Sequence, residues 1–191
     1  MTSLEIMSMQ KKVGATPDGF WGPKSIDSCR QYLRHIMPKN NPWPSSDLRS
    51  MEQFYGAPGD ESNLTNLPTP FPMFYDGKRI KTIRCHHKVA DSLFRVLTSI
   101  GRSYGQLRSV IEEAEDYGGC FNVRKKRGGT SLSIHSWGAA IDLDADDNSF
   151  RASWPMQSDM PFEIIEAFAR EGWLSGAAFW GYDAMHFQAT L

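Results

Sequence analysis

Apolar positions along the chain fall into short, separate periods. Leu4, Ile6, Met7, Met9 and Val13 begin an amphipathic pattern that Gly14 and Pro17-Asp18-Gly19 break. Pro23 suits the first turn of a second helix, where Ile26, Cys29, Tyr32, Leu33 and Ile36 make an apolar stripe. Residues 1–37 therefore predict two short helices sharing a small core, a unit marginal by itself. Residues 38–80 are the least regular. Pro38, Pro42, Pro44 and Ser45-Ser46-Asp47 predict a linker and a helix start, with Leu48, Met51 and Phe54 anchoring that helix. Gly56 through Pro72 reads as turn, Phe71 to Tyr75 as an aromatic arm, and Asp76-Gly77 as a tight turn. Val89, Leu93, Val96, Leu97 and Ile100 predict a helix over 88–100 ended by Gly101. Residues 106–117 read as a helix, or a shorter helix plus loop, closed by Gly118-Gly119. Cys120–Arg124 predicts a strand, and residues 139–144 a second one. Phe162, Ile165, Phe168 and Ala169 predict a last helix ended by Gly172.

Composition narrows the function classes. The 191 residues carry a formal charge of −1, with no long basic block. A nucleic-acid partner bound through a strongly positive surface is not expected. Three cysteines, at 29, 85 and 120, are no disulfide framework and fit free thiols. Cys85-His86-His87 lacks a complete ligand spacing and reads as a strand-to-helix junction. There is no basic leader followed by an apolar core and no membrane-length apolar run. The expectation is synthesis in the cytoplasm without membrane insertion.

Candidate chemistry concentrates in two stretches, Ser133-Ile134-His135-Ser136-Trp137-Gly138-Ala139-Ala140-Ile141-Asp142-Leu143-Asp144 and Trp180-Gly181-Tyr182-Asp183-Ala184-Met185-His186-Phe187. His135, Asp142 and His186 supply two nitrogens and an oxygen, a donor set zinc accepts while keeping a position for water. Asp183 is a spare carboxylate able to accept and return a proton. Ala140, Asp142 and Asp144 alternate with Ile141 and Leu143, as in a strand with one apolar face. His135 lies an odd number of positions from Asp142, so one unbroken strand would send it to the opposite side. A turn or bulge near Gly138 is needed. Taken singly, each histidine also fits a packed, hydrogen-bonded core residue, and Asp142 and Asp144 fit turn carboxylates. Spacing alone defines a candidate metal site. Ser133, Trp137 and Asp144 are candidates to support the ligands, and Trp180 and Tyr182 to line the groove.

The paired stretches resemble the metallopeptidases of the D-alanyl-D-alanine carboxypeptidase and L-alanyl-D-glutamate endopeptidase family, which includes bacteriophage endolysins. The resemblance covers roughly residues 40–191. It implies Zn2+ on His135, Asp142 and His186, with Asp183 as catalytic acid/base, a place where the family often has glutamate. It also implies an arginine on the strand before the motif, which Phe121-Asn122-Val123-Arg124 fits; Arg127 is the nearest rival. The implied fold is α+β, a compact catalytic domain (residues 38–191) with a small antiparallel sheet flanked by helices. Residues 1–37 precede it as a helical module. Their Pro17-Asp18-Gly19-Phe20-Trp21-Gly22-Pro23-Lys24 is similar to a peptidoglycan-binding module, and equally makes an ordinary turn in a helical prop. The expected function is hydrolysis of the L-alanyl-D-glutamate bond of peptidoglycan, by a monomer released through a separate membrane-permeabilising protein. The alternatives are a D-alanyl-D-alanine carboxypeptidase and a non-catalytic wall-binding protein.

Overall fold

The computed structural model describes residues 1–191. Helices α1 (Ser3–Lys12), α2 (Pro23–Ile36) and α3 (Leu48–Tyr55) come first. A hairpin of β1 (Leu64–Tyr75) and β2 (Lys78–His86) follows, then α4 (His87–Tyr104) and α5 (Arg108–Glu115). The remainder is β3 (Tyr117–Gly119), β4 (Ala140–Leu143), α6 (Phe162–Arg170), β5 (Leu174–Ser175), α7 (Gly176–Trp180) and β6 (His186–Gln188). Strands β3–β4–β6–β5 form one antiparallel sheet, and β1–β2 a separate two-stranded one. This is the expected α+β architecture: a small sheet among helices, with two helices ahead of it. No helix is long and apolar enough to cross a membrane.

The first two helices form as their sequence dictates. Thr2 and Glu5 make a reciprocal cap on α1, and Pro23 opens α2. Buried Gln10 fastens the intervening loop, donating to Asp18, to the Phe20 carbonyl and to Ser25 while accepting from the Gly19 amide. The stripe residues Ile6, Met9, Val13, Cys29 and Leu33 belong to the same continuous core as α4, α6 and the four-stranded sheet. Polar ties cross the same boundary. Buried Glu166 of α6 accepts a hydrogen bond from the Tyr32 hydroxyl at 2.5 Å and pairs with Lys12. Arg30 donates to the Ala178 and Phe179 carbonyls at 3.2 and 2.9 Å.

Three expectations are corrected. The stretch read as irregular turn contains the longest strand, β1. Its prolines at 68, 70 and 72 are tolerated because the strand has a partner on one side only, and the register breaks between Pro68 and Met73. The expected turn at Asp76-Gly77 closes the hairpin, with φ of 50° and 68°. Second, α4 does not stop at Gly101 but runs on to Tyr104. Gly101 serves packing instead: a Cβ there would lie 2.9 Å from the ring of Phe71, which crosses the helix from the arm. Third, residues 120–124 join no sheet. They are pinned to the metal-motif turn by Asn122 N–H to the His135 carbonyl (3.0 Å) and Arg124 N–H to Ser136 Oγ (3.2 Å). The Cys85-His86-His87 junction is as expected. β2 passes into α4 there, and His86 Nδ1 caps the helix by accepting from the Lys88 amide.

Candidate metal centre

Local structure explains how residues so far apart meet. His135 sits in a single 3-10 turn, Ile134–Trp137, that ends at Gly138 in the left-handed conformation (φ 67°). This is the reversal that the odd His135–Asp142 spacing requires. Gly138 also tucks against the end of β2: its carbonyl accepts from the His86 amide at 2.9 Å, and a Cβ would lie 2.9 Å from Leu64 and 3.0 Å from that amide nitrogen. Asp142 and His186 are direct cross-strand partners of β4 and β6. Asp183 precedes β6 in a tight turn, with φ of 59° and its carbonyl accepting from the His186 amide. That turn fixes the Asp183–His186 spacing.

His135 Nε2, Asp142 Oδ1 and His186 Nδ1 converge. His135 Nε2 lies 3.2 Å from Asp142 Oδ1 and 3.1 Å from His186 Nδ1, and the remaining pair is 2.9 Å apart. Each imidazole uses its other nitrogen on the protein. His135 Nδ1–H donates to the Cys120 carbonyl at 2.8 Å, and His186 Nε2–H to Gln188 Oε1 at 3.1 Å. Gln188 is oriented in turn by donating to Thr190 Oγ1. Both tautomers are thus set so that lone pairs face one carboxylate oxygen. Three acceptors this close repel unless a cation lies between them. Tetrahedral zinc, with bonds near 2.0 Å, spaces its ligands roughly 3.3 Å apart, so the donor set fits in chemistry and nearly in size.

The electrostatics agree. Burial works to raise Asp142, but the hydrogen bonds and charges of His135 and His186 outweigh it and hold the carboxyl well below its usual range. Burial works against a charged His186, yet the hydrogen bond and charge of Asp142 raise it. A cation and a proton therefore compete for the same lone pairs. Asp183 is raised, chiefly by burial; His186 and Arg127 oppose the shift and Asp142 adds to it. Burial also pushes the Cys120 thiol well above its ordinary value. The residue contributes its carbonyl, not a thiolate ligand.

A cavity of about 320 Å³ opens beside the cluster, lined by Asp142, Asp183 and His186 together with Ser133, Trp180 and Tyr182. Arg124, Lys126, Arg127 and Phe150 line it as well. Trp180 leans over His186, ring centroids 5.8 Å apart. Arg127 lies over Phe150, and Phe150 meets Tyr182 edge to face at 5.9 Å. Two residues expected near the ligands are elsewhere. Trp137 is buried and donates to the Gly56 carbonyl. Asp144 accepts from Asn148 at 2.8 Å, beside Glu113 and Asp159.

Residues 127–189 match the model of the D-alanyl-D-alanine carboxypeptidase family. No curated protein and no solved structure matches the chain. The matched segment contains His135, Asp142, Asp183 and His186, and excludes Arg124 and the first two helices. Family match and ligand cluster together support a catalytic metallopeptidase with a site suited to zinc.

Site parts missed in the sequence are of one kind. Gln188 and the Cys120 carbonyl hold the ligand histidines, and Phe150 backs Arg127. The only sequence signal for Gln188 was its place two residues from His186, on the same face of β6. A backbone carbonyl leaves none.

Proposed function

We propose that this metallopeptidase hydrolyses the terminal D-alanyl-D-alanine bond of peptidoglycan stem peptides. The observation that carries this reading is the placement, within the family-matched segment, of the His135–Asp142–His186 cluster beside a cavity that Asp142, Asp183 and His186 line together with Arg127, and with Arg124 and Lys126 from just ahead of that segment. Zinc held by His135, Asp142 and His186 would supply Lewis-acid polarisation of water and of the scissile carbonyl. Asp183 takes the proton of the attacking water and returns it to the departing amine nitrogen. Its upward shift suits both halves of that task. Arg124, Lys126 and Arg127 face the region where the leaving residue sits. A guanidinium there holds the free carboxylate of a terminal D-alanine or stabilises the oxyanion. Trp180 keeps bulk water off His186.

A second reading, cleavage of L-alanyl-D-glutamate, draws on the open far end of the cavity. Beyond Arg127 and Phe150 a shallow depression of about 400 Å³ continues past Gly128, Ser149 and Arg151. A single departing alanine does not fill it, whereas a longer leaving peptide does. Glutamate also brings a carboxylate to the same basic wall. Digestion of purified peptidoglycan, followed by mass spectrometry, tests both. Free D-alanine supports the first reading and new amino-terminal D-glutamate the second. Unchanged stem peptides with zinc-loaded protein contradict both.

A further inference from the structure

The metal ligands are approached from two sides. Besides the cavity holding Asp183, a second one of about 390 Å³ meets His135 and Asp142 from the side of the β1–β2 arm. Arg124, Arg127 and Asp142 line both, so the two are halves of one groove with the metal ligands at its waist. Asp183 lines only the first half. Because Asp183 protonates the departing amine, the leaving residue occupies that half and the acyl portion of the substrate extends into the other.

The acyl half has a different wall. It is lined by Tyr75 and Ile80 of the arm, and by Tyr117, Phe121 and Asn122 ahead of the metal motif. The rings of Tyr75 and Tyr117 are 6.0 Å apart and inclined at 60°. Phe74 bridges to Asp116, fixing the arm tip against the sheet domain. Tyr75 nevertheless remains 53% exposed. A large aromatic side chain at the end of the hairpin thus lines the groove that continues from the reacting centre, with about half of its surface open beside the Tyr117 ring.

We propose that Tyr75 and Tyr117 form a subsite for the peptide on the carbonyl side of the scissile bond. The β1–β2 arm is then a specificity element that selects stem peptides over the bare dipeptide. This rests on the assignment of Asp183 as the group that protonates the leaving amine. The occupant is peptide: amide planes and short aliphatic side chains pack on the aromatic faces, and Asn122 offers both a donor and an acceptor to a backbone.

The test uses the full-length, zinc-loaded protein and its Tyr75→Ala variant. Exposure of Tyr75 makes loss of the fold an unlooked-for outcome, and circular dichroism checks it. Calorimetry with the tetrapeptide L-alanyl-γ-D-glutamyl-diaminopimelyl-D-alanine, the acyl product, should show binding that weakens about five- to tenfold in the variant. Hydrolysis of D-alanyl-D-alanine dipeptide, which does not reach Tyr75, should be unchanged. Equal tetrapeptide affinity in the two proteins, or no tetrapeptide binding to either, overturns the subsite. If the tetrapeptide binds through Tyr75 but no D-alanine is ever released, the subsite stands and the proposed bond falls.

Discussion

His135 and His186 each give one ring nitrogen to the fold and leave the other for the metal, so their partners matter nearly as much as they do. Asp183 makes the sharper test, because it stands outside the ligand set. Asp183→Asn should keep zinc and lower kcat by about 10²–10⁴-fold, the usual contribution of a positioned acid/base; kinetics with metal content on the same sample check it. A second carboxylate group gives a pH prediction. Glu113 is pushed up to about 9 by burial, and by its hydrogen bond and repulsion with Asp144, with Asp159 and Asp147 adding. The folded state thus keeps a proton that the unfolded state loses above the ordinary glutamate range. Stability from this group is fully present at low pH and declines as pH rises toward 9. Glu113→Gln should match wild type in thermal unfolding near pH 4 and exceed it increasingly up to pH 9. An unchanged difference across that range would contradict the shifted carboxyl. At this scale the sequence was informative where chemistry is carried by side chains of distinctive type, and silent on the Cys120 carbonyl.

Among the elements, the hairpin arm and the first two helices change most on seeing the structure. The prolines of β1 conceal a strand because pairing on one side leaves their missing N–H groups harmless. In the first two helices the apolar stripes are visible in the sequence, but their partner is not. Leu33 is fully buried, and its helix packs against α6 and α7 of the peptidase half. Leu33→Ala should therefore destabilise the whole chain by about 2–5 kcal/mol in one cooperative transition. Two separate transitions in denaturant would show an independent N-terminal module instead. Arg30 acts closer to the chemistry, since it caps the carbonyls of α7 just before Trp180 and the Asp183 turn. Arg30→Ala should lower kcat roughly tenfold, as loosening of a distant support does, while metal affinity holds. Lysine at that position should restore part of it.

For the whole molecule, the sheet is small and serves mainly to align β4 with β6, which sets Asp142 opposite His186. The α+β class and the ligand set were legible because one turn and one strand pair need particular residues at particular places. The continuous core and the two-sided groove were not, since they come from packing between segments far apart in the chain. The central claim is that these three side chains bind one ion as a unit. Isothermal titration of metal-stripped protein with zinc tests it most directly, comparing wild type with a folded His186→Ala variant. The account predicts one site per chain in wild type, with protons released on binding, and affinity weakened by orders of magnitude in the variant. Equal affinity in both proteins, or no saturable site in wild type, would contradict it.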